Sequence, residues 1–301
     1  PITLVASLSV IGVIGVAISL TNGMERRFPA QLNKLLSFDF RSVEQYRRGT
    51  CFVDVATVFN DSHNCTSSPA GGSSTRLVLW GDSHAAHLYP GLAHVIGDRA
   101  AITQLNTGNC PPLLGHDVSR TTECRANNEL VLRDIEKSKP SVVMLSAGWR
   151  RYADWREVSK TIQRLKGLGV TEIILVGPAP QWNGTLPRQL FEYATSHGID
   201  AIPSKLPTGF NQNIALLDDS MAAFAAEQRV RYISPYRTFC DRGGCLVRVE
   251  SGSRQLTSFD YDHFTTEASI FLVNKFPAWF FEAFPEKNRK AAAADSKEAE
   301  K

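Results

Sequence analysis

The chain has 301 residues, 43% of them hydrophobic, which is enough for one large core or two small ones. Its 33 basic and 30 acidic side chains leave a net charge of only +3. With no basic cluster longer than Arg150–Arg151, the sequence lacks the electrostatic footprint of a nucleic-acid binder.

Residues 1–20 carry no charge, and about 20 apolar residues are needed to span a bilayer. The stretch lacks the initiator Met and basic first region of a signal peptide, so it reads as the end of the last transmembrane helix of a longer protein. Arg26 and Arg27 favour a cytoplasmic side for the chain after residue 20. The six cysteines favour the opposite side and weigh more, because two charges set orientation weakly when other helices precede. They fall into the local pairs Cys51 and Cys65, Cys110 and Cys124, and Cys240 and Cys245, none with C-x-x-C spacing. This pattern predicts three disulfides and an oxidising compartment. Six unrelated buried thiols are the alternative.

Residues 21–74 are polar and without periodicity, and read as a linking region closed on itself by Cys51–Cys65. From residue 75 to 285 the pattern alternates. Strand-like apolar runs fall at 76–80, 100–105, 141–147, 171–178 and 230–235. Helical patterns fall at 127–138, 154–168, 211–228 and 265–283. In the second of these Trp155, Val158, Ile162 and Leu165 share one face. Most of the apolar runs are unbroken, as in strands buried on both sides. Strands alternating with helices predict a three-layer α/β/α sandwich around a parallel sheet of about five strands, with ligands at the strands' carboxyl ends. Residues 286–301 form a charged, alanine-rich tail, read as frayed or disordered.

Two local features carry chemistry. In LVLWGDSHAAH (77–87) a buried strand meets Gly81, and Ser83 then falls where a helix can begin, its hydroxyl at the edge of the sheet. Asp82 or Ser83 could equally be a plain helix cap. In FDYDHF (259–264) Asp260 and His263 are three residues apart, a spacing that can set the carboxylate against one imidazole nitrogen and leave the other for Ser83. Taken alone, that segment reads as a surface turn. Taken with the serine, it reads as the base and acid of a nucleophilic site, with Asp262 as rival to Asp260. His84, His87 and His94 have helical spacing but no carboxylate or cysteine to complete a set, so no metal is expected. Trp182 reads equally as a sugar platform or as packing.

GDS after the first strand and D-x-x-H before the last helix resemble the SGNH hydrolase superfamily, with its flavodoxin-like fold. LWGDSHAAHLYPGL, CPPL at 110–113, VVMLSAGWRRY at 142–152 and DYDHFTTEAS at 260–269 resemble, more narrowly, the SGNH domain fused behind the membrane-bound acyltransferase-3 family. Its members O-acetylate bacterial surface glycans such as lipopolysaccharide O-antigen. The resemblance covers residues 21 to 285 or so. It implies Ser83 as nucleophile, His263 as base and Asp260 as its orienter. It also implies a periplasmic domain on the inner membrane, with the upstream acyltransferase-3 membrane domain and a glycan acceptor as partners. No cofactor is expected here, the acetyl donor, ultimately acetyl-CoA, being handled upstream. Of the superfamily's oxyanion donors, Gly108 matches the glycine. The expected asparagine is absent, its block reading SAGWRRY, which leaves Trp149, Arg150 or a backbone N–H near Gly148 to replace it. Three functions are compatible with these residues: transfer to a sugar hydroxyl, hydrolysis by the same site, or non-catalytic positioning of a glycan.

Overall fold

The computed structural model describes residues 2–21, 44–59, 65–67, 75–115, 123–249 and 256–285, with Pro29, Ala30, Asn33 and Pro69 besides. Arg26, Arg27 and the tail 286–301 lie outside the described residues. Helix α1 (Ile2–Leu20) is exposed along its length, and its Thr3–Leu20 window has a mean hydropathy of 2.3, long and apolar enough to cross a membrane.

Each expected strand forms. They are β2 (Arg76–Gly81), β3 (Ala101–Thr107), β4 (Val142–Ser146), β5 (Glu172–Val176) and β7 (Arg231–Ile233). A further strand, β1 (Phe52–Val53), comes from the segment read as a linking region, so six parallel strands stand in the order β1-β3-β2-β4-β5-β7. β1 pairs with Asn106 and Thr107. The same segment is held by Gln104 Nε2 donating to the Tyr46 carbonyl (2.9 Å) and by the Tyr46 hydroxyl donating to the Phe264 carbonyl. Two residues are too short a run for periodicity to reveal, which is why the sequence pattern shows only five strands.

Side chains alternate across the pleat, and both faces are covered. Leu77, Leu79, Ile102, Met144 and Val176 pack with Leu88, Leu92, Leu272 and Phe280 on one side. Val78, Trp80, Val143, Leu145 and Leu175 pack with Val131, Ile162, Leu165 and Met221 on the other. The result is a three-layer α/β/α sandwich. The expected helical face of Trp155, Val158, Ile162 and Leu165 is the one buried. The run 265–283 splits into Thr266–Asn274 and Ala278–Glu282 because Pro277, lacking an N–H, starts a new helix. A small antiparallel sheet of β6 (Lys205–Leu206), β9 (Gly244–Leu246) and β8 (Cys240–Asp241) was not visible in the sequence, its strands again being very short.

All six cysteines are paired as the spacing predicts. Cys51–Cys65 and Cys110–Cys124 each close 14 residues. In the chain-entropy account each contributes about 3 kcal/mol by restricting the unfolded chain. We expect Cys110→Ala/Cys124→Ala to lower the thermal midpoint by roughly 6–12 °C. A midpoint within about 2 °C of the parent, a difference of under about 1 kcal/mol at this size, would contradict that contribution.

Candidate active site

In this sheet order the chain runs outward from β2 to β3 and then returns past β2 to β4. The carboxyl ends of β2 and β4 therefore flank the point where the winding reverses, the usual place for a crevice. Gly81 ends β2 at φ +151°, and a Cβ there would lie 1.7 Å from the Ser146 carbonyl oxygen at the end of β4. Only glycine lets the two strand ends approach so closely. Asp82 comes next, fully buried, and caps the short helix Ser83–Ala86 by accepting the His84 N–H (2.8 Å). It also accepts the Gly148 N–H (3.0 Å) and the Tyr152 hydroxyl (2.7 Å). The capping reading and a site-building role are thus both true of Asp82: it ties the loop after β4 to the turn carrying Ser83.

Ser83 Oγ lies 2.8 Å from His263 Nε2, and His263 Nδ1 lies 2.6 Å from Asp260 Oδ2. An ionised carboxylate only accepts, so Nδ1 carries the imidazole proton and Nε2 is left to accept from the serine hydroxyl. Asp260 Oδ1 accepts the backbone N–H groups of Asp262 (2.9 Å) and His263 (2.8 Å), which fixes the carboxylate. Burial would raise the pKa of Asp260, but the hydrogen bonds and charge of His263 outweigh it and hold the group below the ordinary carboxylate range. The ring of Phe259 lies along that of His263, centroids 5.8 Å apart.

Asp262 stands farther from the imidazole, at 3.4 Å. Its two oxygens each accept from Arg151 Nη2 at 3.1 Å, and Gln181 Nε2 donates to Oδ2 at 3.3 Å. Burial works against its charge, yet His84, His263 and Arg151 hold it ionised well below the usual range. Asp260, at 2.6 Å, is thus the nearer of the two carboxylates to His263 Nδ1. His84 Nε2 is buried 3.5 Å from Asp262, so one ligand atom from each of His84, Asp262 and His263 falls within 4.8 Å of the others. The sequence pattern does not show this carboxylate beside His84. Both His263 nitrogens and both Asp262 oxygens already have protein partners, and the Arg151 charge lies on the same carboxylate. His94 is exposed and apart from them.

His87 is buried and accepts the Phe264 N–H through Nδ1 (3.3 Å). Burial, then the proximity of His84 and His263, lowers its pKa well below the ordinary 6.5, against a smaller opposing pull from Asp262. The unfolded chain takes up this proton first, so stability is lost as pH falls below about 6.5, at up to about 1.4 kcal/mol per pH unit. His84 has the opposite sign. Burial lowers its pKa, but the Asp262 and Asp82 carboxylates together raise it more, so its contribution is present below about 6.5 and is lost as pH rises through the folded value. We expect the thermal midpoint to fall between about pH 6.5 and 5, and His87→Asn, whose Oδ1 can replace Nδ1 as acceptor, to flatten that slope. An unchanged slope in His87→Asn would remove His87 from the account.

Ser83, His263 and Asp260 open onto a cavity of about 320 Å³. Tyr46, Phe52, Phe259 and Tyr261 give it aromatic walls, while Gly108, Asn109 and Arg151 lie around Ser83. The oxyanion expectations need correction. The Gly108 N–H donates to the Val53 carbonyl (2.8 Å), because β1 occupies the edge beside it. The Gly148 N–H is taken by Asp82. Trp149 is fully buried and its indole N–H donates to the Val176 carbonyl (2.7 Å), so it is core packing. Arg150 borders a separate recess with His84 and Gln181 rather than the cavity at Ser83. Trp182 is buried against Phe210 and is no sugar platform. Arg151, Tyr46 and Phe52 line the cavity as well. For Arg151 the adjacent Arg–Arg pair was a signal. For the other two, in an aperiodic segment, there was none.

No curated protein matches this chain. Among solved structures, the periplasmic domain of a lipopolysaccharide acetyltransferase from Salmonella ser. Paratyphi A is 28% identical, with a TM-score of 0.68 over 78% of this chain and 93% of that one. A carbohydrate acetylesterase family member from Sinorhizobium meliloti is 13% identical, with a TM-score of 0.41 over 70% of this chain and 99% of that one. Residues 50–278, well over half the chain and including every residue of the Ser83–His263–Asp260 constellation, match the SGNH domain (fused to AT3 domains), and the chain belongs to that family.

Proposed function

We propose that this chain transfers an acetyl group through Ser83 to a hydroxyl of a bacterial surface glycan such as lipopolysaccharide O-antigen. The observation that carries the reading is the hydrogen-bonded series Ser83–His263–Asp260, opening on an aromatic-walled cavity. The likeness to a lipopolysaccharide acetyltransferase domain supports it. Ser83 Oγ attacks the acetyl carbonyl while His263 Nε2 takes its proton. The donor's bond to the acetyl group breaks, and its leaving group takes that proton from His263. An acceptor hydroxyl then gives its proton to His263 and attacks the acyl-enzyme, and Ser83 leaves with the proton returned. Asp260 keeps Nε2 facing the serine and steadies the imidazolium. These proton movements ask for no cofactor in this domain.

The donor side of the proposal assigns acetyl-CoA to an upstream acyltransferase-3 membrane domain and places this domain in the periplasm on the inner membrane. Support comes from the family's fusion to AT3 domains, from α1, and from three disulfides of the kind that persist outside the cytoplasm. The test is mass spectrometry of surface glycan from cells carrying Ser83→Ala in the full-length protein. Loss of acetylation is expected, and its retention would overturn the reading. Acetyl release to water by the chain, without glycan acetylation in cells, would make it an esterase instead.

A further inference from the structure

A serine that attacks a carbonyl needs hydrogen-bond donors fixed around the oxygen that becomes negative. Several donors near Ser83 are already used. The Gly108 N–H is held by Val53, the Gly148 N–H by Asp82, and the Trp149 indole by Val176. Five residues on the cavity wall still have donors to give: Ser83 through its own backbone N–H, Arg48, Asn109, Arg151 and Tyr261. Arg48 is exposed and paired with the exposed Asp54, and Tyr261 is 42% exposed with no hydrogen bond to fix its hydroxyl among the described residues. Asn109 is exposed, with no side-chain hydrogen bond to fix its amide among the described residues. Arg151 is held on two sides. Its Nη2 donates to both oxygens of the buried Asp262 at 3.1 Å, and its guanidinium carbon lies 5.5 Å from the centre of the Tyr261 ring. Its Nε and Nη1 meet no acceptor among the described residues, and the side chain is 27% exposed. Asp262 is in turn steadied by Gln181 and lies 3.5 Å from His84 Nε2.

We propose that the Arg151 guanidinium, with the Ser83 backbone N–H, receives the charge that develops on the acyl carbonyl oxygen, in the place of the asparagine this chain lacks. The inference rests on the acyl-transfer reading. A donor held in place before the reaction costs no reorganisation when charge appears, and the fork of a guanidinium has N–H groups left over after one nitrogen is bound by Asp262. Asn109 lacks that restraint. An arginine that served only to recognise an anionic acceptor would not matter for a small neutral ester.

The experiment compares the parent chain with Arg151→Gln, Arg151→Lys, Arg151→Gln/Asp262→Asn, Asn109→Ala and Arg150→Gln, measuring kcat and KM for p-nitrophenyl acetate and glycan acetylation in cells carrying the same changes in the full-length protein. Arg151→Gln should lower kcat about 10²- to 10³-fold with KM nearly unchanged, and lower glycan acetylation with it. Arg151→Lys keeps a cation for Asp262 and decides the matter if the glutamine variant does not fold. It should still lose roughly tenfold or more in kcat. Arg150→Gln should stay within about twofold. Recovery of kcat in the Arg151→Gln/Asp262→Asn double would mean that Arg151 acts only by keeping Asp262 away from His263, and would overturn the proposal. A loss confined to glycan acetylation, a rise in KM with kcat kept, or a loss of about 10²-fold in Asn109→Ala with Arg151→Gln unaffected would overturn it too. Ser83→Ala in the same assay separates the two readings: if it stays active, the acyl-serine reading itself fails, whatever Arg151 does.

Discussion

Ser83→Ala and His263→Ala should each remove acyl transfer and ester cleavage by a factor on the order of 10⁴ to 10⁶, with the double variant little worse than either single. The reason is the geometry. With Nε2 2.8 Å from the serine hydroxyl, each group is useful only while the other is present. Multiplicative losses in the double variant would show that the two act separately. Asp260→Asn should cost on the order of 10³ to 10⁴ while the fold stays intact, because an amide can present an N–H where the carboxylate accepted and so turn the imidazole to the wrong tautomer. Asp262→Asn should cost much less in kcat, since Asp262 lies 3.4 Å from Nδ1 and its oxygens are occupied by Arg151. The reverse ranking would reassign the acid.

Gly81→Ala should be the most damaging conservative change outside Ser83, His263 and Asp260. At φ +151° an alanine is strained, and its Cβ would sit 1.7 Å from the Ser146 carbonyl oxygen and 2.9 Å from its carbon. Both are backbone atoms of a central strand, so no side chain can swing aside. β2 is hydrogen-bonded to β3 on one side and β4 on the other, and displacing its end disturbs both pairings. It also pulls Asp82 from the Gly148 N–H and the Tyr152 hydroxyl and moves Ser83 away from His263. Strain and clash of this kind cost about 3 kcal/mol or more, roughly 6–12 °C in thermal midpoint for a domain of this size. Activity should fall further than stability alone accounts for. An alanine variant with the parent's midpoint and turnover would show that β2 and β4 can separate without harm.

The longer strands of the parallel sheet, the helical face of Trp155, Val158, Ile162 and Leu165, the three disulfides, and the meeting of Ser83, Asp260 and His263 were all legible in the order of residues. These are legible because they depend on local or periodic information: an apolar run long enough to span a buried sheet, cysteines close in sequence, a glycine turn, a D-x-x-H spacing. Features that depend on which distant groups meet were settled by the fold as a whole. Phe52–Val53 becomes a strand because Asn106 and Thr107 offer it a free edge, and by taking the Gly108 N–H its carbonyl removes the donor the motif pointed to. Trp149 turns inward to the Val176 carbonyl, and Arg150 and Arg151, adjacent in sequence, differ in reach because the tight helical turn Trp149–Arg151 rotates one from the other, so that only Arg151 borders the cavity at Ser83. Asp262 meets Arg151 across 111 positions of chain. A hydrogen bond is lost or kept by a few tenths of an ångström, and that precision is set by the packing of the whole sheet rather than by the order of residues near the site.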